Sequence, residues 1–278
     1  MRSALTVVAL LLAAAVLFLP HYVRIDPQEP SATAFLPPSL AHPFGTDDLG
    51  RDLMTALIFG GRASLISGGL VTIGATLLAL VIGVIAGMAG NTTDRLLTRL
   101  MDVSQIVPRF FLALLASAWL GPGWVQLAII LALTGWATPA RLIRAESRSL
   151  RSAAFVEAAL LLGASRASVA VRHLIPNMLP LALPQIPLIF SSALLIEAGL
   201  SFLGAGDPNR LSWGALVQSG QANALRAWWL VLFPGLALAL VCAGLTLLAL
   251  MSSKSAYGDG MLDMQPHSRT KASGAIGP

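Results

Sequence analysis

The chain is poor in what a soluble domain needs. Only 11% of its 278 residues are charged, less than half the usual share in water-soluble proteins, and 6% are aromatic. With 56% hydrophobic residues and a mean hydropathy of +0.76, polar groups cannot cover a globule of this size. An ordinary soluble enzyme and a disordered chain are therefore excluded. The single cysteine, Cys242, lies in an apolar run, which excludes a disulfide scaffold and says little about redox compartment. Lysine is almost missing. Lys254 and Lys271 stand against 16 arginines, and neither follows a phosphate-cradling glycine loop, so the chain is not expected to hydrolyse ATP by itself. His21, His42, His173 and His267 all lie outside the apolar runs, which argues against an intramembrane hydrolase with nucleophile and base at one depth. No zinc spacing or basic aromatic sheet supports nucleic-acid binding, despite the net charge of +5.

What is abundant is uncharged sequence. About 20 mostly apolar residues cross about 30 Å of hydrocarbon. Six runs qualify: Ala4 to Leu19, Ala63 to Gly90, Ile106 to Leu120, 124–139, Leu174 to Ile196, and Ala227 to Met251. The expectation is an all-α polytopic membrane protein with six transmembrane helices. The first run ends in Phe18-Leu19-Pro20-His21-Tyr22, bulky where a signal peptidase needs small residues, so it is read as an uncleaved helix. In the second, Gly68, Thr72, Thr76, Ala79, Gly83, Gly87 and Gly90 recur at steps of three and four, a stripe where another helix can approach closely. Gly121-Pro122-Gly123 forces a turn between the third and fourth runs and places Arg109 near an interface, where it can snorkel. Pro176, Pro180, Pro184 and Pro187 mark the fifth. With the amino terminus inside, 13 of the 18 basic residues fall on the cytoplasmic side, so both termini are expected in the cytoplasm. The basic excess is then mainly a topology signal. The chain divides into 1–62 (first helix and outer loop), 63–253 (a five-helix core with a cytoplasmic loop at about 140–173) and a polar cytoplasmic tail, 254–278.

Three loops carry the remaining information. The 139–173 segment is too long for a plain connection. Ala153 to Leu162 favours helix, Gly163 permits a sharp bend, and Ala164 to His173 forms a second short helical piece. Phe155, Ala158, Ala159 and Leu162 share one face, with Glu157 at its margin. Such a face suits either a groove on a soluble partner or the membrane surface, with Arg148, Arg151 and Arg166 toward headgroups. In the first outer loop, His42 with Asp47, Asp48 and Asp52 could be imagined as a metal site. The carboxylates are better read as setting turns, with Asp47 or Asp48 capping the helix through Arg62. Glu197 is read as closing the fifth span at the outer interface, and Trp228 and Trp229 as an interfacial belt.

Glu157-Ala158-Ala159, three residues, Gly163, nine residues, then His173-Leu174-Ile175-Pro176 resembles the EAA loop of ABC-importer permeases. The segment His42-Pro43-Phe44-Gly45-Thr46-Asp47-Asp48-Leu49-Gly50-Arg51-Asp52 and the run Ser201-Phe202-Leu203-Gly204-Ala205-Gly206 with Trp213-Gly214 resemble the DppC/OppC/NikC-like branch, which serves dipeptides, oligopeptides or nickel. Departures fall at Asp207-Pro208-Asn209-Arg210 and around the end of the sixth run. The resemblance implies a permease subunit of a binding-protein-dependent importer in a bacterial inner membrane. It implies a second, DppB/OppB-like permease, two cytoplasmic ATP-binding subunits that hold ATP and magnesium, and an extracytoplasmic solute-binding protein. The cargo would be a di- or oligopeptide or, alternatively, nickel or a metal chelate. A non-transporting membrane scaffold is the reading from another class. The docking loop would be carried by Phe155, Glu157, Ala158, Ala159, Leu162, Gly163, His173 and Pro176.

Overall fold

The computed structural model describes residues 29–30 and 32–262, with side chains through residue 252. The expected first span and most of the tail lie outside the described residues. The described residues are mostly helical, with one isolated bridge, Thr46 to Asp52, and turns over 32–52. The helices are α1 (Leu53–Met88), α2 (Asn91–Ile106), α3 (Arg109–Leu120), α4 (Trp124–Gly135), α5 (Ala137–Arg151), α6 (Ala154–Leu161), α7 (Arg166–Val169), α8 (Ile175–Ala182), α9 (Gln185–Phe202), α10 (Trp213–Gln221) and α11 (Trp229–Leu262). A π-helical turn, Ala170–Leu174, joins α7 to α8.

Four of these segments are long and apolar enough to cross a membrane: Leu53–Met88, Trp124–Arg151, Gln185–Phe202 and Trp229–Ser252. The pair α2 and α3 passes the same test only when taken together, and the 77° bend between them means that α2 does not continue the line of α3. Leu70, Ile73, Leu77, Val81 and Ile85 form an exposed apolar stripe along α1, which only hydrocarbon or another apolar helix can cover.

α1 is the central helix, flanked by α4, α5, α9 and α10. From Gly68 to Gly87 its small residues do what their spacing predicts, whereas Gly90 lies past the end of α1 with nothing within 4 Å of where its Cβ would be. A Cβ on Gly68 would meet Leu194 and Phe190 of α9 at 3.2 Å. One on Gly83 would lie 2.8 Å from the Ala140 carbonyl oxygen, and one on Gly87 2.2 Å from Ser147 Cβ, both on α5. The stripe thus seats two different helices, α9 on the half nearer Leu53 and α5 on the half nearer Met88.

Several expected boundaries move. α1 begins at Leu53, ten residues before the uncharged run, because Asp52 caps it by accepting from the Thr55 amide at 2.9 Å. Arg62 sits on this helix, exposed, and neither Asp47 nor Asp48 is the cap. The stretch expected as the 90–109 loop contains helix α2, whose carboxylates Asp94 and Asp102 pair with arginines of α5. The fourth crossing continues as helix to Arg151, so the loop proper starts there. The expected fifth span is split at 183–184: α8 tolerates Pro180, whereas Pro184 stands at the cap of α9, which carries the crossing on to Phe202. α11 continues to Leu262, past the expected end at Met251.

Arg109 does not snorkel. Its Nη1 donates to Ser192 Oγ of α9 at 3.0 Å and its Nη2 to the Leu131 carbonyl of α4 at 3.4 Å, while its Nε is buried without a partner. Gly135 makes room for it, since a Cβ there would lie 2.8 Å from Nη2. At the outer end, Trp229 is buried and donates from Nε1 to the Thr46 carbonyl at 3.1 Å, so only Trp228, half-exposed, fits an interfacial belt.

Candidate functional site

The segment 151–176, expected on the cytoplasmic side, is built from two short helices set at an angle by one glycine. α6 ends at Leu161 with Leu162 as its cap, and Gly163 takes φ +87°. The Gly163 amide donates to Leu160 O and the Ala164 amide to Ala159 O, both at 3.0 Å, the paired bonds of a Schellman stop. Ser165 then caps α7 by accepting from the Ser168 amide at 3.2 Å. The π turn carries the chain through His173 into α8, where Pro176 lies in the first turn, the one place its missing N–H is harmless.

Val156 holds this segment to the bundle. It is fully buried with Val169, Leu174, Met178, Met101 and Ile143, and Ala159 and Ala164 pack on the same cluster. The face expected to be apolar and shared, Phe155, Ala158 and Leu162, points away from the bundle. Phe155 is 44% exposed, Leu161 82% and Leu162 88%, and Ala158 and Glu157 are exposed beside them. Ala159 therefore separates from that group and turns partly inward. Phe155 and His173 lie with ring centroids 6.2 Å apart, bridging the two halves of the segment. Sequence reasoning missed Val156 as the anchor and Leu161 as part of the exposed face. Because α6 is apolar nearly all round, its periodicity does not say which side faces the protein.

On the opposite side of the bundle, the His42–Asp52 segment is a closed turn system. Thr46 is fully buried; its Oγ1 donates to the Thr33 carbonyl at 2.8 Å and accepts from the Leu36 amide at 2.9 Å. Asp47 Oδ1 accepts from the Leu49 and Arg51 amides at 2.9 and 2.8 Å, and His42 Nδ1 lies 3.1 Å from Asp52 Oδ1. Gly45 and Gly50 have φ of +79° and +76°, and a Cβ on Gly50 would lie 2.0 Å from the Ala32 carbonyl. These residues act in turn formation and in capping α1.

The 203–212 loop, expected on the outer side, is assembled round Glu197, which lies inside α9 rather than at its end. Ser201 Oγ donates to its Oε1 at 2.9 Å and Ser64 Oγ, from α1, to its Oε2 at 3.3 Å. Ser64 Oγ also accepts the Trp213 amide at 3.2 Å, and Ser212 caps α10 while lying 3.4 Å from Ser201 Oγ. One carboxylate therefore ties α1, α9 and the start of α10. Phe202 and Leu203 end α9, Gly204 (φ +79°) makes the same stop as Gly163, and Gly206 packs on Ser201. Trp213 is buried and donates from Nε1 to the Leu57 carbonyl at 2.9 Å, and a Cβ on Gly214 would lie 2.5 Å from Ala198 O. Arg210 stacks 3.9 Å over the Trp124 ring with its Nη1 buried and unbonded. Burial lowers its pKa, opposed by the Glu197 and Asp207 carboxylates. Glu197, Arg210, Trp124, Ser67 and Val71 line a narrow cleft under this loop.

Residues 79–255 match the family model described as binding-protein-dependent transport system inner membrane component. A Brucella suis biovar 1 protein, named as a permease protein of a peptide transport system, is 39% identical over 243 residues, covering 85% of this chain and 78% of its own. The oligopeptide transport system permease protein OppC of Mycobacterium tuberculosis is 35% identical, with 84% and 79% covered. Among solved structures, the MetNI methionine ABC transporter in inward-facing form matches 74% of this chain and 97% of its own at a TM-score of 0.57. At 16% identity, that is a likeness of fold alone. The chain belongs to the family of binding-protein-dependent transport system inner membrane components.

Proposed function

We propose that this chain is the permease subunit of an ATP-driven importer whose cargo is a di- or oligopeptide. It crosses a bacterial inner membrane six times, the first crossing within residues 4–19, with both termini in the cytoplasm. A second permease completes the pathway, an extracytoplasmic solute-binding protein delivers cargo, and two cytoplasmic ATP-binding subunits hold ATP and magnesium. The chain itself catalyses no reaction.

The observation that carries this reading is the outward-turned face of α6. A helix pinned by Val156 and Ala159 leaves Phe155, Leu161 and Leu162 uncovered, which stabilises nothing in the isolated chain. Buried in a cleft of an ATP-binding subunit, two leucines and a phenylalanine supply roughly 1.5–3 kcal/mol each. When ATP draws the two ATPases together, α6 moves with them, and the bundle passes between inward and outward access. The peptide cargo rests on the relatives at 35–39% identity.

The test is reconstitution of the transporter with its solute-binding protein and uptake of labelled dipeptides, oligopeptides and a nickel chelate. Leu161→Asp with Leu162→Asp is expected to abolish co-purification of the ATP-binding subunit and uptake together, while the chain still inserts. Retention of both sinks the docking assignment; uptake of the chelate and not of peptides sinks the cargo assignment.

A further inference from the structure

Helix α2 has two unlike faces. One is fixed to the protein. Met101 is fully buried, Leu97 packs on the cytoplasmic core cluster, and Arg144 grips both carboxylate oxygens of Asp94, its Nη2 to Oδ2 at 2.7 Å. Arg148 stands 3.7 Å from the same carboxylate, and Arg141 pairs with Asp102. The opposite face carries Leu96, Leu100, Val103 and Val107, at steps of four, three and four, which are 67%, 49%, 60% and 38% exposed. Arg95 and Arg99 run along one margin of that stripe, both exposed.

Three observations say what covers it. The 77° bend between α2 and α3 matters because α3 packs back along α4 as a hairpin through Gly121 to Gly123. If that hairpin stands across the membrane, α2 lies close to its plane. The stripe is also continuous with the apolar flank of α3, where Phe111 and Leu115 are 57% and 49% exposed and hydrocarbon is the natural neighbour. Finally, the margin is cationic: Arg95 and Arg99, both exposed, lie beside the stripe. An apolar stripe edged by arginines on an in-plane helix matches the boundary between acyl chains and anionic headgroups.

We propose that α2 is an interfacial helix that binds anionic phospholipid of the cytoplasmic leaflet, with Leu96, Leu100, Val103 and Val107 at the acyl boundary and Arg95 and Arg99 on headgroup phosphates. This inference needs the chain to be a membrane protein and is independent of its cargo. Because Asp94 fixes α2 to α5 just before α6 begins, the leaflet gives the cytoplasmic end of the bundle a fixed reference against which α6 moves.

The test uses the full transporter complex in nanodiscs, on a Cys242→Ser background, with bimane on Leu100→Cys or Val103→Cys. Lipids brominated in the acyl chain are supplied either as phosphatidylglycerol or as phosphatidylcholine. Both sites are expected to be quenched by brominated lipid, and more strongly by phosphatidylglycerol. Arg95→Gln with Arg99→Gln is expected to lower that preference by about fivefold for each arginine removed, whereas the paired Arg→Lys variant retains it. Quenching by aqueous iodide instead overturns the proposal. So does protection from both quenchers, the signature of a protein cover such as the second permease. Equal quenching by the two lipids overturns the anionic recognition.

Discussion

Gly163 offers a perturbation whose effect can be worked out from the backbone alone. It stands at φ +87°, and nothing lies within 4 Å of where its Cβ would be. Gly163→Ala therefore adds no clash and acts only through conformation. An L-residue in the left-handed region loses roughly 1–2 kcal/mol, and asparagine less, because its side chain bonds locally. Proline fixes φ near −65° and also removes the amide that donates to Leu160 O at 3.0 Å. The strain is relieved by turning α6 against α7, since Val156 and Val169 hold both to the buried core. A penalty of 1–2 kcal/mol against the docking orientation lowers its population about 5- to 30-fold. The assay is binding-protein-stimulated ATPase activity and uptake by the reconstituted complex, with thermal unfolding of the permease in parallel. Coupled rates are expected in the order Gly, Asn, Ala, Pro, with little change in melting for Asn and Ala. Wild-type coupling in the alanine variant, or losses that follow side-chain size rather than tolerance of positive φ, would refute the reasoning.

Gly87→Ala forces a Cβ to within 2.2 Å of Ser147 Cβ and is expected to destabilise by about 1–3 kcal/mol, whereas Gly235→Ala, with open space around it, should melt at or above wild type. Thr46→Val leaves the Leu36 amide and Thr33 carbonyl unpaired under Trp229; a loss of about 1–3 kcal/mol, seen as faster proteolysis of the outer loop, is expected, with Thr46→Ser close to wild type. Asp94→Asn removes the carboxylate held by Arg144 and Arg148. Loosening of α2 from α5, measured as faster amide exchange across 91–106, is expected without loss of membrane insertion.

The parts of the fold legible in the sequence are those set by neighbours close along the chain. Gly83 and Gly87 mark a helix seam because their spacing alone puts them on one side. Gly163 marks a bend because a helix stop of this kind needs positive φ at one residue. What was not legible depended on distant partners. Arg109 lies at the end of an apolar run, the usual place for a snorkelling arginine. Its true direction is decided by Ser192, 83 positions away, and by the gap at Gly135. Glu197 looked like a helix end until Ser64, from 133 residues earlier, is seen to bond it. Helix α2 was hidden by its own charges: an uncharged-run criterion passes over Asp94, Arg95, Arg99 and Asp102, although the 3.6-residue apolar period was present.

The contacts divide the bundle into parts that can and cannot move against each other. α1 and α5 interlock at Gly83 and Gly87 with backbone in contact, so neither slides without a clash. α2 is tied to α5 by ion pairs, and Arg151 donates to the Ala89 carbonyl at the end of α1. A displacement imposed on α6 therefore passes through Val156 to α1, α2 and α5 as one body. At the other end, α1 is held by Trp213 bonding Leu57 O, by Ser64 bonding Glu197, and by the turn that Trp229 closes over Thr46. Among the described residues two long elements run between the assemblies: the 36-residue α1, and the segment Trp124–Arg151, whose first residue lies under Arg210 beside Glu197. Packed cores are bistable rather than continuously deformable, so under the proposed docking a push at α6 is expected to tilt α1 and the 124–151 segment together. The serines round Glu197 are the bonds that such a tilt must strain first.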